Sequence, residues 1–333
     1  GNKCIYFSFT NKLVKTDLAG NLIGSVTGFS GHLGDVDFNM QDGRIYGSLE
    51  YKADAIGKGI SNTLGIAAAQ ENGFYIAIFD GAKIVRPNMD AEKEDLLQTV
   101  YLQEPVSDYE ATVQIDGDTK RHRYACSGID GLTFGPSFGV KENNNQYLYV
   151  AYGIYGDTTR NDNDYQVILK YDIANWNSYE QPLFQGALHR SGPVVPMSKY
   201  FIKTGNTTYG IQNLAYDTHT GNFFAAVYKG KKSAYPNYDL FVVNGHLQPS
   251  SSFLYTDNKR ERVEVLQLLS VEQEEVSSGN AGWHFQWGAT GLCPLGDGFF
   301  YIAHPNKRSD GLQESTIYKY KWIGSTSTAF KKE

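Results

Sequence analysis

The stretch TGNTTYGIQNLAYDTHTGNFFAAVYKG, residues 204–230, decides the fold. A Gly-Ile-Gln-Asn step leads into an apolar run, a Thr-Gly turn follows, and a second apolar run closes the segment. Runs of this length flanking turn residues signal a β-hairpin. The step recurs. Gly210-Ile211-Gln212-Asn213-Leu214 is matched by Gly128-Ile129-Asp130-Gly131-Leu132 and by Gly288-Ala289-Thr290-Gly291-Leu292. A weaker copy is His32-Leu33-Gly34-Asp35-Val36, where His32 replaces the leading glycine. After each copy come a turn, a strand-like run, a polar loop and another strand-like run. The turns are Gln41-Asp42-Gly43, Glu142 to Asn145, Thr218 to Gly221 and Gly296-Asp297-Gly298. Self-similarity in a fixed order marks a repeat architecture. Its unit reads as an antiparallel meander of three or four strands.

The rest of the chain follows the same grammar. KCIYFSF, KLVKTDL and LIGSVTGF near the N-terminus read as three strands with a turn at Asp17 to Asn21. No step of the repeated kind precedes them. They are expected to form a further sheet lacking its first strand, or to complete the last sheet, so that the chain ends meet. Aromatic residues make up 14 % of the 333, 24 of them Tyr, and there are 35 Gly. Tyr and Phe favour strands and Gly favours tight turns, so the chain reads as all-β.

Net charge is −6, which argues against a nucleic-acid or anionic-membrane surface. No apolar stretch approaches the roughly 20 residues of a membrane span. Cys4, Cys126 and Cys293 lack zinc-ligand spacing, and the last two are expected to be buried thiols. A first residue other than Met fits a processed chain or a cloning scar. With the fold type it gives the expectation of a periplasmic or cell-envelope location. Asn206-Thr207-Thr208 matches a glycosylation acceptor at close to chance frequency.

Sheets repeated along a chain whose ends close on each other resemble a β-propeller, without the Gly-His and Trp-Asp signature of WD40 repeats. Radial packing buries both faces of each sheet and leaves short, protected edges. The expectation is a single domain over 1–333 with five blades, four and six being the alternatives. Approximate blades are 1–30 (partial), 31–120, 121–200, 201–280 and 281–333. Long insertions fall at 53–127 and 247–283. Gly210 and the polar pair after it are expected to turn the chain into the innermost strand.

The resemblance implies that the loops entering the innermost strands and those between second and third strands share one ligand-bearing face. Three constellations lie on those loops. Asp35, Asp130 and Asn213, with Glu50 near them, suit a hard cation such as Ca²⁺; propeller lactonases and phosphotriesterases use a comparable Glu/Asn/Asp set. The plainer reading is that these side chains cap turns. His32, Glu50 and His304 contain a candidate general acid/base pair, against the plainer reading of hydrogen-bonded structural residues. His304 is aligned with Glu50 in this reading. Tyr209, Gln212, Tyr228 and Trp287 join aromatic faces to an amide and suit a glycan or another flat ligand; packing is the competing reading. Asp157 to Asp164 and Lys229 to Lys232 read as solvated loops. The function expected is a propeller that binds a small molecule, glycan or protein at its channel mouth. The alternative is a Ca²⁺-assisted hydrolase.

Overall fold

The computed structural model describes residues 4–65, 69, 71–140, 145–270, 281–311 and 313–333. Of the turn expected at Glu142 to Asn145, only Asn145 lies within the described residues. The fold is an all-β, five-bladed propeller. A two-stranded ribbon, Thr112–Ile115 with Asp118–Arg121, accompanies the five sheets. The chain divides into two compact units, residues 1–107 with 172–196, and residues 108–171 with 197–333.

The first unit holds two sheets. The N-terminal meander Ile5–Phe9, Lys12–Thr16 and Leu22–Thr27 pairs on itself, and Met89–Asp90 joins Leu22–Thr27 in parallel as a fourth strand. Among the described residues these strands do not complete the last sheet, and the added strand lies at the Leu22–Thr27 edge of their own sheet, not before Ile5–Phe9. Its fourth strand comes from the 53–127 insertion, which carries no sequence mark of that pairing. Lys15 ties the insertion down by donating to the carbonyls of Gly81 (2.7 Å) and Ile84 (3.2 Å). The second sheet runs His32–Phe38, Ile45–Tyr51, Gly73–Phe79, Leu97–Tyr101 and Gln181–Pro182. Ile45–Tyr51 and Gly73–Phe79 are buried along their whole length, as sheets covered on both faces require. Between them Ala55–Leu64 forms a helix, where a long loop was expected. Asp54 starts it by accepting from the Gly57 N–H at 2.8 Å, and Gly65 ends it at φ +67°. A side-chain oxygen at the N-cap and a left-handed glycine just past the end are the usual stop and start chemistry.

The second unit holds three sheets. Cys126–Gly135, Tyr147–Ile154, Tyr165–Tyr171 and Ser198–Lys203 form a meander, and the hairpin Ser250–Thr256 with Lys259–Val265 extends it through a parallel pairing to Ser198–Lys203. The next sheet is Thr207–Asp217, Asn222–Lys229 and Leu240–Val243. The last is Leu292–Pro294, Phe299–Lys307, Gln313–Trp322 and Phe330–Lys332. The adjacent phenylalanines of the quoted stretch explain its second apolar run. In a strand, successive side chains point to opposite faces. Phe223 packs on Phe138 (4.6 Å between centroids) and Tyr149 (5.0 Å), while Phe224 packs on Phe300 and Trp322 (4.8 Å each).

Gly210 does not precede the innermost strand; it lies inside it. Thr207–Asp217 is bulged between Thr208 and Ile211 and again between Ile211 and Asn213. Gly210 has φ +74°, and a Cβ there would sit 2.5 Å from the Tyr152 carbonyl oxygen and 2.7 Å from the Ile154 nitrogen. The glycine thus lets two backbones meet. The polar pair of the repeat has the same job in three sheets, since bulges also fall between Leu33 and Val36 and between Ile129 and Leu132. A bulge adds a residue to one strand and increases its twist.

All three cysteines are thiols. Cys126 is buried as expected, but Cys293 is exposed, because its short strand pairs it with the exposed Tyr301. Among the described residues, no helix is long and apolar enough to cross a membrane.

Candidate functional site

The ladder fixes which residues of different blades are equivalent. Val36 pairs with Gly47, Leu132 with Val150, Leu214 with Ala225 and Leu292 with Ile302. Counting outward, the leading position of the step is His32, Gly128, Gly210 and Gly288. Three residues past the second-strand partner lie Glu50, Gly153, Tyr228 and Pro305; Glu50 and Gly153 pair with the leading residue, whereas Tyr228 pairs with Thr208. His304 is therefore the counterpart of Leu49, one residue from the position expected, and a one-residue step in a strand reverses the face.

In the first unit, His32 is directly opposite Glu50. The Glu50 carboxylate is 4 % exposed and lies 3.6 Å from His32 Nδ1 and 2.7 Å from Lys52 Nζ. Burial pushes this carboxyl up, but the Lys52 charge and then the His32 interactions outweigh it and hold it below the usual range. The site keeps an ionised carboxylate under cover, with two nitrogen groups on it. Ser30, Gly31, Gly57 and Ser61 line the same cleft, so the helix Ala55–Leu64 covers one side. Asp35 is in this unit too, 8 % exposed at the bulge, where its Oδ1 accepts from the Val36 N–H at 3.0 Å.

The second unit brings together Tyr209, Gln212, Tyr228, Asp130 and Asn213. Thr208 pairs with Tyr228 and Asn213 with Ala226. Tyr209 has φ +65° although it is not glycine, a conformation that costs free energy and gathers at functional sites. Gln212 holds the bulge by donating from Nε2 to the Tyr209 carbonyl at 2.9 Å. Tyr209 is 49 % exposed and Tyr228 43 %. Burial of part of the Tyr228 phenol, and then the nearby Asp130 charge, push its pKa up. Asn213 is 9 % exposed. Asp130 and Asn213 belong to one unit and Asp35 to the other. Among the described residues, no group of three or more His, Cys, Asp or Glu side chains is arranged to hold a metal ion.

His304 and Trp287 meet elsewhere in the second unit. The indole stacks on the imidazole at 3.8 Å between centroids and 13° between planes. Tyr318 meets the same ring edge-on, and His304 Nε2 is 2.9 Å from the Tyr320 hydroxyl. Burial, then the Lys332 charge, hold the His304 pKa below its ordinary value. One face of Trp287 is thus covered by His304.

Two loops expected to be solvated are so only in part: Asp157, Thr158, Thr159, Asn161, Lys229 and Lys231 are exposed, while the other residues are knitted together. Arg160 forms a two-pronged pair with Asp162, both contacts 2.8 Å, and donates to the Arg121 and His122 carbonyls at 2.6 Å. Asn163 is fully buried. Lys232 reaches across to the Arg160 carbonyl, to Asn163 Oδ1 and to the Asp164 carboxylate. The charges of Arg160, Asp162, Asp164 and Lys232 satisfy each other and the loop backbones. Asn206 of the glycosylation match is 2 % exposed, its amide oxygen accepting from the Lys231 N–H at 3.1 Å.

Sequence reasoning missed Lys52, although its place two residues after Glu50 puts it on the same side of an extended chain. It also missed the entry turn at His122, Tyr124 and Ala125, which have φ +67°, +55° and +54°. Arg160 braces that turn through the two carbonyls, and no residue type in it announces left-handed backbone. No known family matches the chain, and no curated protein does.

Proposed function

We propose that the protein is a binding propeller whose ligand surface includes Tyr209 and Tyr228, flanked by Gln212 and Asp130, and whose ligand is a glycan. The observation that carries this reading is the pair of tyrosines on one hairpin, 49 % and 43 % exposed, one of them held in left-handed backbone. Exposed aromatic faces stack on the C–H face of a sugar ring, and amide and carboxylate groups bond its hydroxyls. Strained backbone under an exposed side chain is a further mark of a site. The same proposal includes an extracytoplasmic location, which cell fractionation tests.

A glycan array followed by calorimetric titration of the best hit tests the reading. Tyr228→Ala and Tyr209→Ala are each expected to lower affinity at least about tenfold, the scale of a lost 1.4 kcal/mol contact. Affinity unchanged in both variants, or capture of a protein in place of any glycan, refutes it.

A further inference from the structure

We infer that the outer edge of the strand Ser250–Thr256 is a self-association surface, on which a second copy of this chain adds the same strand, antiparallel, across a two-fold axis at Phe253.

The other sheets of the propeller supply the comparison. Away from its first strand, each sheet ends in an edge whose backbone N–H and C=O groups are a template for another strand. Folded proteins blunt such edges by shortness, proline, lysine or a cover. Met89–Asp90 and Gln181–Pro182 are two residues long, and the second contains a proline. Phe330–Lys332 is three residues long, two of them lysine. Leu240–Val243 is covered by bridges from Trp283 and Leu268. Ser250–Thr256 has none of these devices. It is seven residues, SSSFLYT, without charge or proline. Among the described residues its one strand partner is Lys259–Val265, and no backbone group of another segment bonds it. The ribbon strand Thr112–Ile115 is bonded to the turn beyond it, where the Gln114 N–H donates to Asp257 Oδ1 at 2.9 Å.

The strand is complementary to itself. Its side chains alternate between two faces. Leu254 and Thr256 are buried on one, while Phe253 and Tyr255 on the other are 46 % and 72 % exposed. Phe253 is opposite Arg262 and Tyr255 opposite Arg260, and the Arg260 guanidinium lies 3.7 Å over the Phe253 ring. Phe253 is also the middle residue of the strand. Antiparallel pairing about it sets Ser250 of one copy against Thr256 of the other, Ser251 against Tyr255 and Ser252 against Leu254. Small residues thus meet larger ones on either side of the axis, and two phenylalanines meet at it. Aromatic pairs and Ser–Thr pairs across strands are favourable. The strand itself brings no like charges together. A charged partner strand would find no counter-charge on it, which favours the second copy. A two-fold contact uses the same patch on both copies and closes after two.

Sedimentation velocity of the full chain across a range of concentrations is expected to show a monomer–dimer equilibrium. Phe253→Lys sets two ammonium groups against each other at the axis and is expected to weaken dimerisation at least about tenfold. Tyr255→Lys is expected to weaken it too. Both side chains are exposed, so the fold is expected to survive either change. Phe9→Lys, which replaces a ring of similar exposure (44 %) in the N-terminal sheet, is expected to leave dimerisation unchanged. Hydrogen exchange locates the contact: amides within 250–256 are expected to slow as concentration rises in the wild-type chain, and not in Phe253→Lys. The proposal is overturned by a chain that stays monomeric at every concentration, by assembly beyond two copies, or by dimerisation that Phe253→Lys leaves intact. Protection of 250–256 that does not change with concentration also overturns it, because the chain would then cover this edge itself.

Discussion

At Gly210, two demands coincide on one residue. Its φ of +74° excludes most side chains, and the backbone of Tyr152 to Ile154 occupies the space a Cβ needs. Gly43 has nearly the same φ, +73°, but open space around it. The two glycines therefore separate conformational cost from steric cost. Gly43→Ala is expected to lose about 1–2 kcal/mol, the left-handed penalty alone. Gly210→Ala adds overpacking and is expected to lose about 3–4 kcal/mol. Urea unfolding of both variants measures the difference, and equal losses would mean that the close approach is not tight. The sequence showed that a glycine was required at 210, because the step repeats. It could not show that the residue sits in a bulge, because a bulge depends on which residues the partner strand leaves unpaired. His32 was legible for the same reason in reverse: it is the copy that departs from glycine. Glu50 was visible as a carboxylate near a strand end. Lys52, two residues on, lies on the same side of an extended chain, and that spacing was the legible sign of their pairing.

Among the elements, the loop from Leu183 to Gly192 shows what pattern reading leaves out. It has no periodicity, yet it is held by specific bonds. Gln185 Oε1 accepts from the Ser30 N–H and hydroxyl (2.6 and 2.7 Å) and from the Tyr51 hydroxyl (3.0 Å). His189 Nδ1 accepts from the Ser191 N–H at 3.1 Å, which places the ring proton on Nε2, 2.8 Å from Thr99 Oγ1. Tyr75 packs edge-on against the ring and donates to the His189 carbonyl, and Arg190 pairs with Glu71 at 3.2 Å. Burial holds the His189 pKa below its ordinary value. The unfolded chain then binds this proton more readily than the folded one, so stability rises with pH. The contribution is complete above roughly pH 6.5 and is lost as pH falls through the lowered folded value. Protease cleavage in the loop is expected to quicken as pH drops below that point, and His189→Gln is expected to remove the dependence. A rate independent of pH in the wild-type chain contradicts the assignment. The 157–164 loop was legible only in part for a related cause: Arg160 and Asp162 look solvated until their mutual geometry is known.

For the whole molecule, the repeat in the sequence was enough to reveal the five-bladed fold, because every blade must solve the same packing problem. Phe223 and Phe224, one to each face, are the clearest instance. The pairings inside the insertions expected at 53–127 and 247–283 were not legible, since the parallel additions of Met89–Asp90 and Lys259–Val265 obey no repeat. Burial also differs sharply between strands. Tyr147–Ile154 is buried at every position but its first, and Asn222–Lys229 at every position but its last two. Gln313–Trp322 is largely exposed, with Tyr320 its one buried residue among those described. Local opening is easiest where few apolar contacts must be broken. Hydrogen exchange of the intact chain should therefore be slowest at the amides of 148–152 and 223–227 and markedly faster at 313–317, although all three segments are hydrogen-bonded strands. Protection of 313–317 equal to that of 223–227 would show that something outside this chain's own packing covers the last sheet.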